Sequence, residues 1–321
     1  MVRPESVSLD KIKHKKKMTK ADIAFYVCVY AFFILFMAVT LYPVFNRLMY
    51  SFADRLETEK GGAFYLFPRM WSLRNYKELL FPNSWIWENY REIDFDYPSF
   101  LIAAKVTLAR TIIGTLTALI SNAFLAFILS RKRFVFRHGL SLFWIIAMFI
   151  QGSVVPLVPT YMLYRLLRLS GSFWVYIIPY FISVFNVMVI RTYMQSIPDS
   201  FEEAAQLEGA GYMRIFISIF IPLCKPVLAA TALFLAAFHW NSWFDSLLYN
   251  RFEPEYTTLT FQLMKYFNEV SVVDGRNAGR SPTPVTIKAT AAVVTMLPLI
   301  VAYPFLQKYF VTGLSISGIK D

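Results

Sequence analysis

The chain of 321 residues is 57% hydrophobic and only 17% charged, with a formal net charge of +11. Soluble domains carry about 25% charged residues, so this chain lacks the polar surface that a globule needs in water. Because the apolar residues form long blocks rather than an amphipathic alternation, the composition excludes an ordinary soluble protein and favours a membrane protein.

Basic residues are concentrated at the N-terminus, where seven lie within the first twenty positions and directly before an apolar run. Such a cluster is typical of a segment that faces anionic lipid headgroups, and its placement argues against a nucleic-acid-binding surface. For the residues before Lys11, a disordered tail without a specific role is an equal alternative. We predict a cytosolic N-terminal segment at 1–22 and a transmembrane domain at 23–321.

Six stretches contain the ~20 predominantly apolar residues that a transmembrane helix requires. No small-residue cleavage site follows the first stretch, so we interpret it as an uncleaved span and not as a secretory signal. The sequence therefore predicts an all-α, polytopic membrane protein with six transmembrane helices. The predicted spans lie near 23–45, 107–129, 140–164, 173–194, 227–248 and 287–310.

The orientation of the spans follows from Lys and Arg in the short loops, because such residues are enriched on the cytosolic side. The loop after the second span holds Arg131, Lys132, Arg133 and Arg137 and no acidic residue. This predicts that the loop and both chain termini are cytosolic. The remaining segments are predicted to be an external loop at 46–100, a cytosolic loop at 195–225 and an external segment at 250–284.

The cytosolic loop at 195–225 is predicted to contain a short helix. Ser200 and Glu203 have the spacing of a capping box, in which each side chain satisfies a backbone N–H of the first turn. Gly209 is predicted to end the helix, and a second amphipathic segment at 212–221 leads towards the fifth span. Taken alone, these features also fit an ordinary helix between two spans, because capping boxes are common.

A longer pattern runs through this loop. Residues 203–205 are Glu-Ala-Ala, Gly209 follows six positions after the Glu, and residues 219–222 are Ile-Phe-Ile-Pro. The pattern resembles the cytosolic signature of permeases of binding-protein-dependent ABC importers. Two positions depart from it, since Ile221 stands where Leu is usual and Glu208 stands where Asp often precedes the Gly. Both substitutions keep the chemical character of the position.

The resemblance extends over most of the chain. Six spans with a long first external loop resemble the maltose-type, carbohydrate-importing branch, and the stretches 239–245 and 303–310 resemble its subgroup for complex oligosaccharides. The family has the type I ABC importer permease fold. This implies a multi-pass transport subunit of the bacterial cytoplasmic membrane, without enzymatic activity of its own.

The resemblance also implies partners. These are a second homologous permease, two ATP-binding subunits, an external solute-binding protein and an oligosaccharide substrate. The loop at 195–225 would be the coupling helix, which seats on the ATP-hydrolysing subunit. The residues expected to make or shape that contact are Glu202, Glu203, Ala204, Ala205, Glu208, Gly209 and Pro222.

No residues that bind ATP are found in this sequence. The segment 313–320 imitates the spacing of a phosphate-binding loop but lacks the following Ser or Thr and a preceding strand. We therefore expect ATP to be bound by the partner ATPase, and we expect no cofactor or metal in this chain. The alternative is an ion-coupled secondary transporter, which should show internal repeats and intramembrane ionisable residues. The halves show no repeat, and the first acidic residue inside a span is Asp245.

The fifth span carries a polar and aromatic cluster that is the candidate substrate path. Aromatic faces beside amide groups suit sugar rings, which stack through C–H bonds and hydrogen-bond through hydroxyls. A competing interpretation places the tryptophans in an interfacial belt and pairs the Asn with a neighbouring helix. The cluster comprises His239, Trp240, Asn241, Trp243 and Asp245.

Basic residues near the span ends suggest that the cargo is an acidic oligosaccharide. Lys105 and Arg110 open the second span, Arg165 and Arg168 mark the outer end of the third, and Lys288 begins the sixth. Few acids lie close to them in sequence, and a cavity lined by one sign of charge concentrates ligands of the other sign. The competing interpretation is that these side chains extend to the lipid headgroups.

Overall fold

The computed structural model describes residues 19–54, 66–80, 100–153, 157–273 and 285–315. Within these ranges the chain is helical and contains no β-strand, apart from one isolated bridge between Ala53 and Trp71. The α-helices are α1 (Lys20–Phe52), α2 (Arg74–Leu80), α3 (Phe100–Ser130), α4 (Arg137–Ser153), α5 (Leu157–Leu166), α6 (Val184–Gln195), α7 (Ser200–Leu207), α8 (Tyr212–Ile215), α9 (Ile221–Leu223), α10 (Lys225–Asn241), α11 (Phe244–Tyr249), α12 (Leu259–Val273) and α13 (Val285–Ser315).

Several predictions concern segments outside the described residues. These segments are the basic N-terminal residues up to position 18, most of the predicted external loop at 55–65 and 81–99, residues 274–284 of the second external segment, and the tail at 316–321. The backbone of the stretch 303–310 is described as part of α13.

Helix α1 is the first predicted span, and it begins and ends outside the predicted bounds. The Thr19 hydroxyl accepts from the Asp22 N–H at 3.2 Å, and the Asp22 carboxylate accepts from the Thr19 N–H at 2.9 Å, which forms a capping box. The side chains of α1 are exposed along most of its length, with buried residues only near its C-terminal end. Because this exposed surface is apolar, α1 requires lipid or another apolar helix around it.

The predicted spans are continuous in some places and broken in others. The helices α1, α3 and the first part of α13 (Val285–Ala302) are each long and apolar enough to cross a membrane. Two more candidate spans are bent pairs: Phe173–Tyr180 with α6, bent by 43°, and Tyr212–Leu223 with α10, bent by 82°. The structure therefore supports three to five spans among the described residues, and the count of six stays a prediction.

The breaks have local causes in the sequence. Pro179 lies in a 3-10 turn (Ile178–Tyr180), and Pro222 and Pro226 lie at the first turns of α9 and α10. A proline lacks the N–H that would bond to the preceding turn, so it is tolerated at a helix start and favours a break elsewhere. Helices α1 and α13 remain continuous despite internal prolines. Within the predicted third span, α4 and α5 lie on either side of residues 154–156, which are outside the described part of the chain.

Helix α3 forms the centre of the bundle and packs against α10, α6, α12 and α4. Its buried face carries mainly small residues, which allow neighbouring helices to approach closely. At Gly114 the approach is extreme, because a Cβ atom there would lie 2.6 Å from ring atoms of His239 on α10. Helix α13 packs against α10 and also contacts α1.

Candidate coupling loop and transport path

Helix α7 is the predicted loop helix, but it does not start with the predicted capping box. Asp199 is the N-cap residue, and no side chain caps the helix. The N–H groups of Glu202 and Glu203 donate to the Asp199 carbonyl at 2.9 and 3.0 Å, and the Phe201 N–H donates to the Pro198 carbonyl at 3.3 Å. Because these backbone oxygens already accept the N–H groups of the first turn, none of those groups is left to donate to the Ser200 side chain. The capping box at Ser200 was therefore wrong.

The end of α7 at Gly209 agrees with the prediction. Gly209 has φ +80°, a left-handed conformation that glycine adopts without a steric penalty. Its N–H donates to the Gln206 carbonyl at 3.0 Å, and the Ala210 N–H donates to the Ala205 carbonyl at 2.9 Å. These two bonds form a Schellman motif, which satisfies the last carbonyls of the helix and reverses the chain.

The second segment of the loop returns the chain to the bundle. It begins at Tyr212, as predicted, and continues as α8, a π-helical turn (Phe216–Phe220) and α9. Phe216 and Phe220 on this segment contact Phe127 of α3, with ring centroids 5.1 and 5.2 Å apart. The loop is thus packed onto the end of the central helix through a buried hydrophobic cluster that includes these rings.

Arg131, the residue directly after α3, joins the loop to the bundle. Its Nη1 donates to Glu202 Oε2 at 2.6 Å, and both side chains are largely buried, at 8% and 14% exposed. The guanidinium carbon lies 4.2 Å from the ring centroid of Phe220 and 5.3 Å from that of Phe127. Gln206 donates to the other carboxylate oxygen of Glu202 at 2.9 Å. Glu202 is therefore held on the inner face of α7.

A second ion pair joins the same two elements at the surface. Lys132 donates to the carboxylate of Asp199, and the two side chains are 75% and 49% exposed. The hydrogen bond from Lys132 holds the pKa of Asp199 below its usual value. Exposed pairs of this kind contribute little to stability, because water and salt screen them.

The residues predicted for ATPase coupling occupy two faces of the loop. Glu203, Ala204, Glu208, Gly209 and Pro222 are exposed, whereas Ala205 is buried in the hydrophobic cluster and Glu202 is paired with Arg131. The exposed face also includes two apolar side chains that the sequence analysis did not single out. Phe201 is exposed, and Leu207 is 90% exposed at the C-terminal end of α7.

The residues predicted for the substrate path do not form a single surface. His239, Trp240 and Asp245 are buried, Trp243 is half-buried and Asn241 is exposed. The Trp240 Nε1 donates to the Thr295 carbonyl of α13 at 2.9 Å, which fixes the tryptophan between two helices. Asn241 donates to the Ala237 carbonyl of its own helix at 2.9 Å, so the alternative in which it bonds a neighbouring helix was wrong.

Arg110 is the most deeply buried cation of the bundle among the described residues. It forms a two-point ion pair with Asp245, with Nη1 at 3.1 Å from Oδ1, and Nη1 also donates to the Ser242 carbonyl at 3.2 Å. Its guanidinium lies 4.6 Å from the ring centroid of Tyr176. The sequence suggested a cation without a nearby acid, and the structure corrects this because the acid lies 135 positions further along the chain.

The other basic residues near the span ends are distributed differently. Lys105, Arg165 and Arg168 are exposed, and Lys288 is buried. Arg165 lines a groove of about 670 Å³ at the predicted outer end of the bundle, together with Tyr161, Tyr249 and Arg251. The rings of Tyr161 and Tyr249 are stacked in this groove with centroids 5.9 Å apart.

The long apolar helices and the structured loop define a multi-pass α-helical membrane protein.

Comparison with three similar proteins narrows this class. Protein LplC of Bacillus subtilis (strain 168) is 29% identical over 309 residues, which cover 96% of this chain and 98% of the relative. The polygalacturonan/rhamnogalacturonan transport system permease protein YtcP of the same organism is 28% identical over 91% of this chain and 96% of the relative. The galactooligosaccharides transport system permease protein GanQ, also from this organism, is 32% identical over 63% of this chain and 68% of the relative.

A solved structure has the same fold. It is the crystal structure of a bacterial ABC transporter involved in the import of the acidic polysaccharide alginate, with a TM-score of 0.75 and 24% identity, and the match covers 91% of this chain and 99% of that chain. No family model matches the chain. The chain belongs to the family of ABC transporter permeases for sugars and is the permease subunit of a sugar importer. The predicted family and the all-α permease fold are confirmed, which removes the support for an ion-coupled secondary transporter.

Arg131 is the main functional candidate that the sequence analysis missed. It was used only to orient the loop, because its partner lies 71 positions away in sequence. A usable signal was present, since Arg131 directly follows a long apolar helix and an acidic helix lies in the other predicted cytosolic loop.

Proposed function

We propose that this chain couples ATP hydrolysis in partner subunits to the movement of an oligosaccharide across the bacterial cytoplasmic membrane. The observation that carries the proposal is the exposed face of α7. Leu207 is 90% exposed in a loop that is predicted to lie in the cytosol, and it is accompanied by Phe201 and the acidic Glu203. An apolar and acidic face on a short, well-anchored helix favours contact with another protein.

In this proposal α7 is the coupling helix. Closure of the ATP-binding subunits would displace α7, and the contacts on its inner face would carry the displacement into the transmembrane bundle. A second homologous permease, two ATP-binding subunits and an external solute-binding protein complete the proposed assembly. Both chain termini are proposed to be cytosolic.

A substitution at Leu207 tests the coupling role. In the complete transporter, Leu207→Ser should lower retention of the ATP-binding subunits and sugar-stimulated ATP hydrolysis by about tenfold, because it removes an apolar anchor of the contact. The matched control is Leu166→Ser on α5, which replaces a leucine that is 80% exposed but lies at the predicted outer end of the bundle. Equal subunit retention in Leu207→Ser and the unmodified transporter would refute a coupling contact at α7.

We also propose that the transported oligosaccharide is anionic. The groove at the predicted outer end of the bundle carries Arg165 and Arg251 against one lining acid, Glu253. Two cations beside stacked tyrosines suit a sugar that bears carboxylates. The relative YtcP is named for polygalacturonan and rhamnogalacturonan, which supports the same class of cargo. Arg110 has no direct part in this proposal, because Asp245 already neutralises it.

Uptake assays with two substrates of equal length test the charge of the cargo. An oligogalacturonate should be taken up, and Arg165→Gln should reduce its uptake by about tenfold, because a charge-assisted bond to the carboxylate is lost. Arg168→Gln is the control, since Arg168 is exposed nearby but does not line the groove. The neutral substrate is an oligogalactose of the same length. Its preferential uptake over the oligogalacturonate would refute an anionic cargo.

A further inference from the structure

Two ion pairs join the end of α3 to the start of α7, and they differ sharply in environment. Arg131 pairs with Glu202 in a largely buried site, whereas Lys132 pairs with Asp199 at the surface. The neighbouring positions 131 and 132 thus contact residues that lie almost one helical turn apart on the loop. Solvent and salt weaken the surface pair much more than the buried pair. The attraction between Arg131 and Glu202 is therefore the stronger of the two ion pairs that join α3 to α7.

The surroundings of Arg131 involve more of the molecule than this one partner. Its planar guanidinium lies against the rings of Phe220 and Phe127, and its Nη2 donates to the Met194 carbonyl at the end of α6 at 3.4 Å. One side chain thus contacts α3, α6, α7 and the π-helical turn that follows them. Lysine could not replace it, because its tetrahedral ammonium group lacks the planar fork that lies flat on aromatic rings while it donates to separate partners.

We propose that Arg131 is the positioning residue that makes α7 and α3 move as one unit during the transport cycle. The inference rests on the proposed coupling role of α7. Arg131 does not belong to the exposed face of α7 that includes Leu207, so it acts through α7 rather than through the ATP-binding subunit. Because α3 is the central helix of the bundle, a displacement that reaches its end reaches the helices packed around it.

The test uses the complete transporter in proteoliposomes and measures sugar uptake, sugar-stimulated ATP hydrolysis, basal ATP hydrolysis and subunit association. Arg131→Gln should lower uptake and stimulated hydrolysis by about tenfold or more, because the buried Glu202 loses its partner. Basal hydrolysis and association should change by less than about twofold, since the exposed face of α7 is unaltered. The matched controls are Lys132→Gln and Asp199→Asn, which should leave all four quantities within about twofold.

A second variant covers the case in which Arg131→Gln does not fold. Glu202→Gln approaches the pair from the loop side and leaves Arg131 stacked on Phe220, so the same loss of coupling is expected. When both single variants fold, the double variant should lose no more than the worse single variant, because both changes disrupt one interaction.

Three results would overturn the role of Arg131. They are wild-type uptake in Arg131→Gln or in Glu202→Gln, an equal loss of uptake in Lys132→Gln, and a loss of subunit association in Arg131→Gln as large as its loss of uptake. The last result would show a defect of assembly. A failure of Leu207→Ser to affect the ATP-binding subunits would instead refute the coupling role of α7 itself, so the two failures are distinguishable.

Discussion

The buried ion pair between Arg110 and Asp245 makes a quantitative prediction about stability. The two side chains are 0% and 3% exposed, and Asp245 has no other cation bonded to it among the described residues. Arg110→Met keeps an unbranched apolar stem but removes the guanidinium at its end, so the Asp245 carboxylate stays buried without a counter-charge. Such a change costs about 3–5 kcal/mol. It also removes the contact between the guanidinium and the ring of Tyr176.

The free energy of unfolding of the purified subunit, measured by denaturant titration in mixed micelles, provides the assay. Arg110→Met should lower this free energy by about 3–5 kcal/mol. Adding Asp245→Asn to Arg110→Met should restore at least about 2 kcal/mol of it, because no charge is then buried. The control Lys105→Met removes an exposed cation from the same helix and should change stability by less than about 0.5 kcal/mol. A loss below about 1 kcal/mol for Arg110→Met would refute the inferred cost of the unpaired carboxylate.

Two glycine substitutions give further predictions. Gly209→Val should abolish most transport while membrane insertion survives, because a β-branched residue at φ +80° prevents the turn after α7. The control is Gly211→Val, which changes an open position with negative φ. Equal transport by both variants would contradict the role of the turn. Gly114→Ala should lower the free energy of unfolding by about 1–3 kcal/mol, because the new methyl group would overlap the His239 ring. Gly139→Ala has no neighbour within 4 Å and should not destabilise the subunit, so equal losses would contradict the close approach.

Sequence patterns predicted the features that depend on local order along the chain. The apolar blocks predicted α1 and α3, and Ser200 and Gly209 predicted where α7 begins and ends. Such features depend on residues a few positions apart. The capping box at Ser200 failed even at this short range, because the preceding backbone carbonyls already satisfy the N–H groups of the first turn.

Features that depend on contacts across the bundle were not accessible from the sequence. The partners of Arg110 and Arg131 lie 135 and 71 positions away, and only packing brings them together. The same limit applies to the candidate substrate path, where adjacent residues point to different environments. Trp240 is fixed against α13, whereas Asn241 bonds to its own helix. The predicted substrate-path cluster at 239–245 was inferred from proximity in sequence, and in the fold its members lie in different environments.

The energy source of transport tests the central claim most directly. The subunit is assembled with its partner permease and ATP-binding subunits in proteoliposomes. These should take up the oligosaccharide only when ATP is present at the cytosolic face. Dissipating proton and sodium gradients should not change the rate of uptake. Leu207→Ser should lower this ATP-dependent uptake by about tenfold. Uptake that proceeds without ATP and follows an imposed ion gradient would contradict coupling through α7.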